Sequence, residues 1–245
     1  MNFQAMTANC AQNFDQGTHA CFGISPFNSY FSESRIRELA LWGQSNFKAM
    51  HFFVPDIPAV YTLEAQGYPR DKAEWKARRQ SQYLKNKIKK AVISVGYSDS
   101  SASEMILDWN RLVSNPRYLA LHTEANNLFE TDREFQNACL QASRWVMTQK
   151  VSEIEILTDH ALRLAVKYFL AEIPLFADTA SIVNQSSSVF CYHQRVEFLE
   201  RFYDKQLGFV PGKDQGFIIL QPVENETFFV LNSGALSENP VAADA

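Results

Sequence analysis

The turn Gly23-Ile24-Ser25-Pro26-Phe27-Asn28-Ser29-Tyr30 holds the residue types that acyl chemistry needs. His19–Ser25 is a short, mostly apolar run that reads as a buried strand, and a helical pattern follows from Tyr30. A serine at a strand-to-helix turn exposes its hydroxyl where backbone N–H groups can hold an oxyanion. Ser25 fits that placement as a nucleophile. Taken by itself, the stretch reads more simply as a plain helix cap behind a close-packed glycine. The hydrolase elbow G-x-S-x-G is not met, because Phe27 stands where the second glycine belongs. The five histidines are His19, His51, His122, His160 and His193, and none stands out as a base, so a Ser-His-Asp triad stays open. G-x-G-x-x-G, the Walker A loop, H-E-x-x-H and the EF-hand loop do not occur, and no nucleotide or metal site is signalled.

A second feature is electrostatic. Between Arg70 and Lys90 lie Arg70, Lys72, Lys76, Arg78, Arg79, Lys85, Lys87, Lys89 and Lys90, against only Asp71 and Glu74. That segment is +7 in a chain whose total is -4, leaving -11 for the remainder. Ala73, Ala77, Leu84, Ile88 and Ala91 form a narrow apolar stripe at helical spacing. Arg78, Lys85 and Lys89 fall on one flank of it, and Lys72, Lys76, Arg79, Lys87 and Lys90 on the other. A 21-residue helix is about 31 Å long and suits a polyanion, because each neutralised phosphate releases counterions. A solvated surface helix is the alternative. Anionic lipid is a weaker one, since alanines make a poor membrane anchor.

The elements that must position these groups follow from periodicity. His19–Ser25, the helical pattern Tyr30–Trp42 with Gly43 as its stop, and the apolar run Phe47–Val54 make a βαβ unit, hence an α/β fold with a parallel sheet. Ser32 or Ser34 caps the helix. Further strands are expected at Ala91–Val95 (or a helix end there), Val189–Tyr192, Phe217–Leu220 and Phe228–Leu231. Helices are expected over Ser103–Leu112, Tyr118–Phe129, Glu134–Thr148 and Glu153–Glu172. We divide the 245 residues into an N-terminal extension 1–18, a single domain 19–232 and a frayed acidic tail 233–245.

Composition bounds the rest. At 46% hydrophobic and 20% charged residues the chain has enough apolar material for a core, which excludes general disorder. Cys10, Cys21, Cys139 and Cys191 form no C-x-x-C pair and read as buried thiols in a reducing compartment. Met1–Thr18 has no apolar h-region, and no run of about 18 apolar residues occurs. The expectation is therefore a cytoplasmic protein without a membrane span.

Four elements in this order resemble the cyclodipeptide synthases. They are His19–Tyr30 as a G-x-S-x-x-N-S-Y turn, the basic segment Arg70–Lys90, Tyr168-Phe169-Leu170-Ala171-Glu172-Ile173-Pro174 as Y-x-x-x-E-x-P, and the pair Tyr192-His193. Asn28, Tyr192 and His193 resemble the subgroup with Asn, Tyr and His at these positions. The resemblance implies a Rossmann-like parallel sheet flanked by helices, similar to the catalytic core of class I aminoacyl-tRNA synthetases for tyrosine and tryptophan. ATP chemistry would be lost, and neither a HIGH-like nor a KMSKS-like signature is found.

The implied reaction joins two aminoacyl-tRNAs into a 2,5-diketopiperazine by ping-pong catalysis, with no cofactor and no metal, because the ester is already activated. Ser25 would take the first aminoacyl group. Glu172 and Tyr168, four apart on one helix face, would hold its ammonium. The second aminoacyl-tRNA would deliver its amine to give a dipeptidyl-enzyme, and ring closure would use Tyr192 as proton relay. Asn28 and His193 would orient the site. Cys21, Gly23, Tyr118 and Phe190, with Leu175 and Phe176 contributing, would line the pocket for a hydrophobic first amino acid. Arg78, Arg79, Lys85, Lys87, Lys89 and Lys90 would bind tRNA. A monomer suffices. Two other readings compete: a serine esterase or acyltransferase of α/β type, which leaves the basic segment unexplained, and a non-catalytic tRNA-binding domain, which leaves Ser25, Glu172 and Tyr192 without a role.

Overall fold

The computed structural model describes residues 1–148 and 158–223. In chain order the elements are β1 (Asn2–Ala5), α1 (Ala8–Asp15), β2 (His19–Gly23), α2 (Glu33–Asn46), β3 (Ala49–Phe53), α3 (Ala59–Ala65), α4 (Arg70–Ser94) and α5 (Asp99–Glu104). They continue with β4 (Ile106–Leu107), α6 (Trp109–Val113), α7 (Pro116–Thr131), α8 (Arg133–Thr148), α9 (Asp159–Ile182), β5 (Ser188–Tyr192), α10 (Glu197–Tyr203) and β6 (Gln215–Gln221).

The sheet runs β1-β6-β5-β2-β3-β4. All neighbours are parallel except β1, which closes the edge antiparallel to β6. From the centre the chain winds outward both ways, through β2, β3 and β4 to one side and through β5 and β6 to the other. The order of the parallel strands therefore reverses between β2 and β5. In doubly wound sheets this crevice, at the carboxyl ends of the strands, is where ligands bind.

Alternation along each strand feeds two cores. Cys21, Phe53, Phe190 and Phe217 face α7, α8, α9 and α10. Ala20, Phe22, Phe52, Val189 and Ile218 face α2 and α4. Strands buried on both faces carry near-continuous apolar sequence, as the run His19–Gly23, buried throughout, does.

Several expectations are corrected. Gly43 does not stop α2, which runs on to Asn46. A Cβ there would lie 2.8 Å from Met50 Sδ and 3.0 Å from the Phe22 ring, so the glycine permits close helix–sheet packing. Ser32, not Ser34, caps α2, its hydroxyl accepting the Arg35 N–H at 3.1 Å. Residues 91–94 end α4 and form no strand. Ser103–Leu112 is not one helix, because β4 interrupts it and Asp108 starts α6 by capping Arg111 N–H. Residues 1–18 carry β1 and α1, which pack on β6. α9 passes through Pro174 and breaks at Asp178 (φ -162°, ψ 57°), and the Thr179 N–H bonds Gln215 Oε1 at 2.7 Å. The expected strand Phe228–Leu231, the tail 233–245 and residues 153–157 of the expected helix lie outside the described residues.

Candidate active site

Ser25 leaves the carboxyl end of β2, and Tyr192 is the last residue of β5. These strands are direct neighbours at the reversal point, so their ends converge. The Ser25 Oγ and Tyr192 OH lie 2.9 Å apart. α9 crosses above and brings Tyr168 and Glu172, one turn apart. The Tyr168 phenol faces Ser25 and Glu172 across one cavity. Burial, then the Glu172 and Tyr192 charges, raise the Tyr168 phenol well above its ordinary value. Burial raises Tyr192 to about 12, against hydrogen bonds from Ser25 and Asn28 that pull it down. Ser25 thus sits between two protonated phenols.

The turn after Ser25 is rigidly built. Phe27 has φ 60°, in the left-handed region where glycine is at home. The backbone adopts at position 27 the conformation favoured by the glycine that the hydrolase pattern wants there, and it does so with a phenylalanine. Asn28 Oδ1 accepts the Tyr30 N–H at 3.0 Å, so its Nδ2 is the donor to His193 Nε2 at 3.2 Å. His193 Nε2 must then be unprotonated, which places the ring proton on Nδ1. Burial agrees, holding the His193 pKa down to about 4. The imidazole stacks on Tyr30 at 3.9 Å and 9°. His193 is therefore an acceptor that anchors Asn28.

The other histidines are engaged away from Ser25. His19 and His51 hydrogen-bond each other at 2.8 Å, and His19 also reaches Ser188 Oγ at 2.7 Å. His122 stacks on Tyr118, and His160 opens α9. No imidazole is among the hydrogen-bond partners of Ser25 within the described residues, so the triad geometry is not formed.

A cavity of about 270 Å³ opens beside Ser25. Gly23, Phe176, Phe190 and Phe217 line it, with Tyr168, Glu172 and Tyr192 at the reacting end. Its far wall comes from Ala142, Trp145 and Val146 of α8 and from Gln194, Val196 and Leu199. The α8 residues carry no motif, and only the tertiary packing brings them here. Gly23 and Phe190 fall where the sequence predicts. Cys21, Leu175 and Tyr118 are buried and are not among the residues that line the cavity. Cys21 lies one alternation step below Gly23. Tyr118 lies under α9, its hydroxyl donating to Ala171 O at 2.9 Å, one residue before Glu172.

The basic segment forms α4, whose stripe of Ala73, Ala77, Leu84 and Ile88 is buried. Ala73 and Ala77 join Ala59, Val60 and Leu63 of α3 in one buried cluster, against which Tyr168 packs. Lys85 departs from its expected role. Its ammonium sits between Asp56 (2.8 Å) and Asp108 (2.7 Å), beyond the ends of β3 and β4. Lys87 donates to Phe31 O at 3.3 Å, and Lys89 is half-buried. Arg78, Arg79 and Lys90 are exposed.

Comparison with known proteins agrees with this geometry. The family model for cyclodipeptide synthase matches residues 1–222. A cyclo(L-leucyl-L-leucyl) synthase of Bacillus subtilis is 30% identical over 222 residues, covering 89% of this chain and 88% of that one. A cyclo(L-tyrosyl-L-tyrosyl) synthase of Mycobacterium tuberculosis is 31% identical, covering 88% of this chain and 74% of its own. The crystal structure of a cyclodipeptide synthase from Bacillus thermoamylovorans superposes with a TM-score of 0.84 at 30% identity, covering 91% and 96%. The fold alone is shared with a tyrosyl-tRNA synthetase of Archaeoglobus fulgidus, at a TM-score of 0.51 and 13% identity over 88% of this chain and 59% of that one. A family match across nine-tenths of the chain, on a synthetase-like sheet, establishes that this protein belongs to the cyclodipeptide synthase family.

Proposed function

We propose that this chain joins two aminoacyl-tRNAs into a cyclic dipeptide through acylation of Ser25. The observation that carries the reading is the Ser25 hydroxyl hydrogen-bonded to Tyr192 at the mouth of an apolar cavity, with Tyr168 and Glu172 facing it. Ser25 Oγ attacks the carbonyl carbon of the first aminoacyl ester. The bond to the ribose oxygen breaks, the serine proton passes to that oxygen, and the tRNA leaves. Glu172 and Tyr168 then hold the amino end of the acyl chain.

Atom balance sets the direction of the second step. For the dipeptide to stay on the enzyme, the amine of the aminoacyl-serine must attack the carbonyl of the second aminoacyl-tRNA; the bond to the ribose oxygen breaks, that oxygen takes the amine's proton, and the second tRNA leaves. The reverse attack would carry the dipeptide off on tRNA. This revises the expectation that the second substrate delivers its amine. The terminal amine of the dipeptide next attacks the serine ester, and the amide bond closes the ring. Tyr192, still protonated at neutral pH, receives the amine's proton as it passes its own to the departing Ser25 oxygen.

Phe176, Phe190, Phe217 and Leu199 favour a hydrophobic first residue. The leucyl and tyrosyl products named for the two relatives are of that class. Family members take aminoacyl-tRNAs as substrates, and here Arg78, Arg79, Lys87, Lys89 and Lys90 on α4 are the residues assigned to their phosphates. We assign Lys85 to holding α4 in place. The enzyme works as a monomer in the cytoplasm, and no helix of the described residues is long and apolar enough to cross a membrane.

Mass spectrometry of medium from bacteria expressing this chain, beside a Ser25→Ala control, tests the reading. Ions at cyclic-dipeptide masses that vanish in the control are expected. Soluble protein without such ions would overturn it.

A further inference from the structure

The outer face of α4 alternates rings and cations. Trp75, Arg79, Tyr83 and Lys87 are four residues apart, so each lies about 6 Å further along the axis, turned by only about 40°. Trp75 is 61% exposed and Tyr83 56%. The Arg79 guanidinium lies 5.3 Å from the Trp75 ring, and the Lys87 ammonium 4.5 Å from the Tyr83 ring. A cation one turn along thus holds each ring while leaving most of its surface in water. Such pairs give an exposed helix only a small gain in stability, and that gain needs neither a large indole nor two rings on one stripe.

Rings of this kind beside the exposed Arg79 and beside Lys87, whose ammonium also donates to Phe31 O, match one occupant chemically. An unpaired polynucleotide offers phosphates to the cations and base faces to the rings, and every base can stack. A paired RNA stem keeps its bases inside its own stack, so it satisfies the cations and leaves the rings idle. α4 also borders the site: Ala73 and Ala77 share one buried cluster with Ala59, Val60 and Leu63 of α3, and Tyr168, which lines the Ser25 cavity, packs against that cluster.

We propose that Trp75 and Tyr83 form a stacking platform for the unpaired nucleotides at the 3′ end of the bound aminoacyl-tRNA, leading its ester toward Ser25. The inference rests on the aminoacyl-tRNA reading above. Phosphate contacts alone position a nucleic acid; the platform adds recognition of the single strand as such.

The test measures binding of the full chain, by fluorescence anisotropy over a range of salt, to two probes. One is a tRNA with its single-stranded 3′ end, and the other is the same tRNA trimmed back to the paired stem. Trp75→Ala and Tyr83→Ala should each weaken the intact probe about tenfold. They should leave the trimmed probe unchanged and leave the slope of log K against log salt as in the wild type. Trp75→Phe and Tyr83→Phe should retain binding, and unchanged melting temperatures would show that the exposed substitutions leave the fold intact. Equal loss on both probes, or no loss on either, would overturn the platform, the second result leaving the rings to a protein partner. If the wild type binds neither probe and forms no cyclic dipeptide, the aminoacyl-tRNA reading itself fails. Product formation with ring-independent tRNA binding sinks the platform alone.

Discussion

Adding one methyl group at Gly23 should uncouple Tyr192 from Ser25. A Cβ at residue 23 would stand 2.8 Å from Phe190 Cζ, 2.9 Å from Phe190 Cε1 and 3.3 Å from Tyr192 Cδ2. Carbon–carbon contacts settle at about 3.5–4.0 Å, so the Phe190 ring would have to retreat by roughly 0.7 Å or more. Phe190 is held by Phe176 at 4.9 Å and Phe217 at 5.9 Å, centroid to centroid, and has little room. Part of the displacement therefore passes to Tyr192, whose hydroxyl lies 2.9 Å from Ser25 Oγ, near the long end of the O–H···O range.

Overpacking of this kind costs about 1–3 kcal/mol. For a chain of this size that lowers the melting temperature by roughly 2–4 °C per kcal/mol. A misplacement approaching 1 Å at the reacting groups costs about 10²-fold in rate. The assay is cyclic-dipeptide formation from purified aminoacyl-tRNAs, beside thermal melting. Gly23→Ala should lose about 10²-fold in rate and several degrees. Adding Phe190→Leu, which removes the Cζ edge, should recover part of both losses, because contacting sites are coupled. A Gly23→Ala enzyme with wild-type melting and rate would refute the reasoning.

Tyr192→Phe should let acyl groups accumulate on Ser25 while slowing ring closure by about 10²–10⁴-fold, read as labelled protein that persists after a chase; equal loss of acylation would move the relay to another group. Lys85→Met leaves Asp56 and Asp108 facing each other without a cation. It should cost about 3–5 kcal/mol of stability and leave the salt slope of tRNA binding unchanged, whereas Arg79→Met should lower that slope by about one and spare the melting temperature; the opposite pattern would return Lys85 to the tRNA surface. Burial, with the His51 charge, holds His19 down to about 3, and burial, with Arg111, holds His51 to about 4, like His193. The unfolded chain protonates these imidazoles near pH 6.5, whereas the folded one protonates His51 and His193 only near pH 4 and His19 near pH 3. Stability should be full above pH 6.5 and fall as pH drops toward 4, at up to about 1.4 kcal/mol per pH unit for each histidine; melting temperatures flat across that window would contradict the burial.

The strands that matter most were legible because they are buried on both faces, which leaves continuous apolar runs such as His19–Gly23 and Ser188–Tyr192. β4 was hidden, since two residues are too short to show a period. α3 and α10 were also missed, at seven residues each. α9 outran its expected end because a proline removes one hydrogen bond, and a helix buried on most sides survives that loss. Gly43 read as a stop for the same reason in reverse: local propensity yields to packing against Phe22 and Met50.

Of the candidate site residues, Ser25, Asn28, Tyr168, Glu172, Tyr192 and His193 lie within short motifs, because a turn, one helical turn and a strand end each have fixed local spacing. Residue order alone therefore determined the serine turn, the carboxylate–phenol pair, the family and the charge of α4. Tertiary structure decided the rest. It set which strand ends meet, which tyrosines bracket Ser25, and that Tyr118, Cys21 and Leu175 lie beneath the cavity while α8 walls it. It also turned Lys85 inward to two carboxylates and left Trp75 and Tyr83 outward. The physical reason is distance along the chain. Contacts between residues 25 and 192, or 85 and 56, depend on the winding of the whole sheet, and no local pattern of residue types encodes which cation finds a carboxylate and which is left for a ligand.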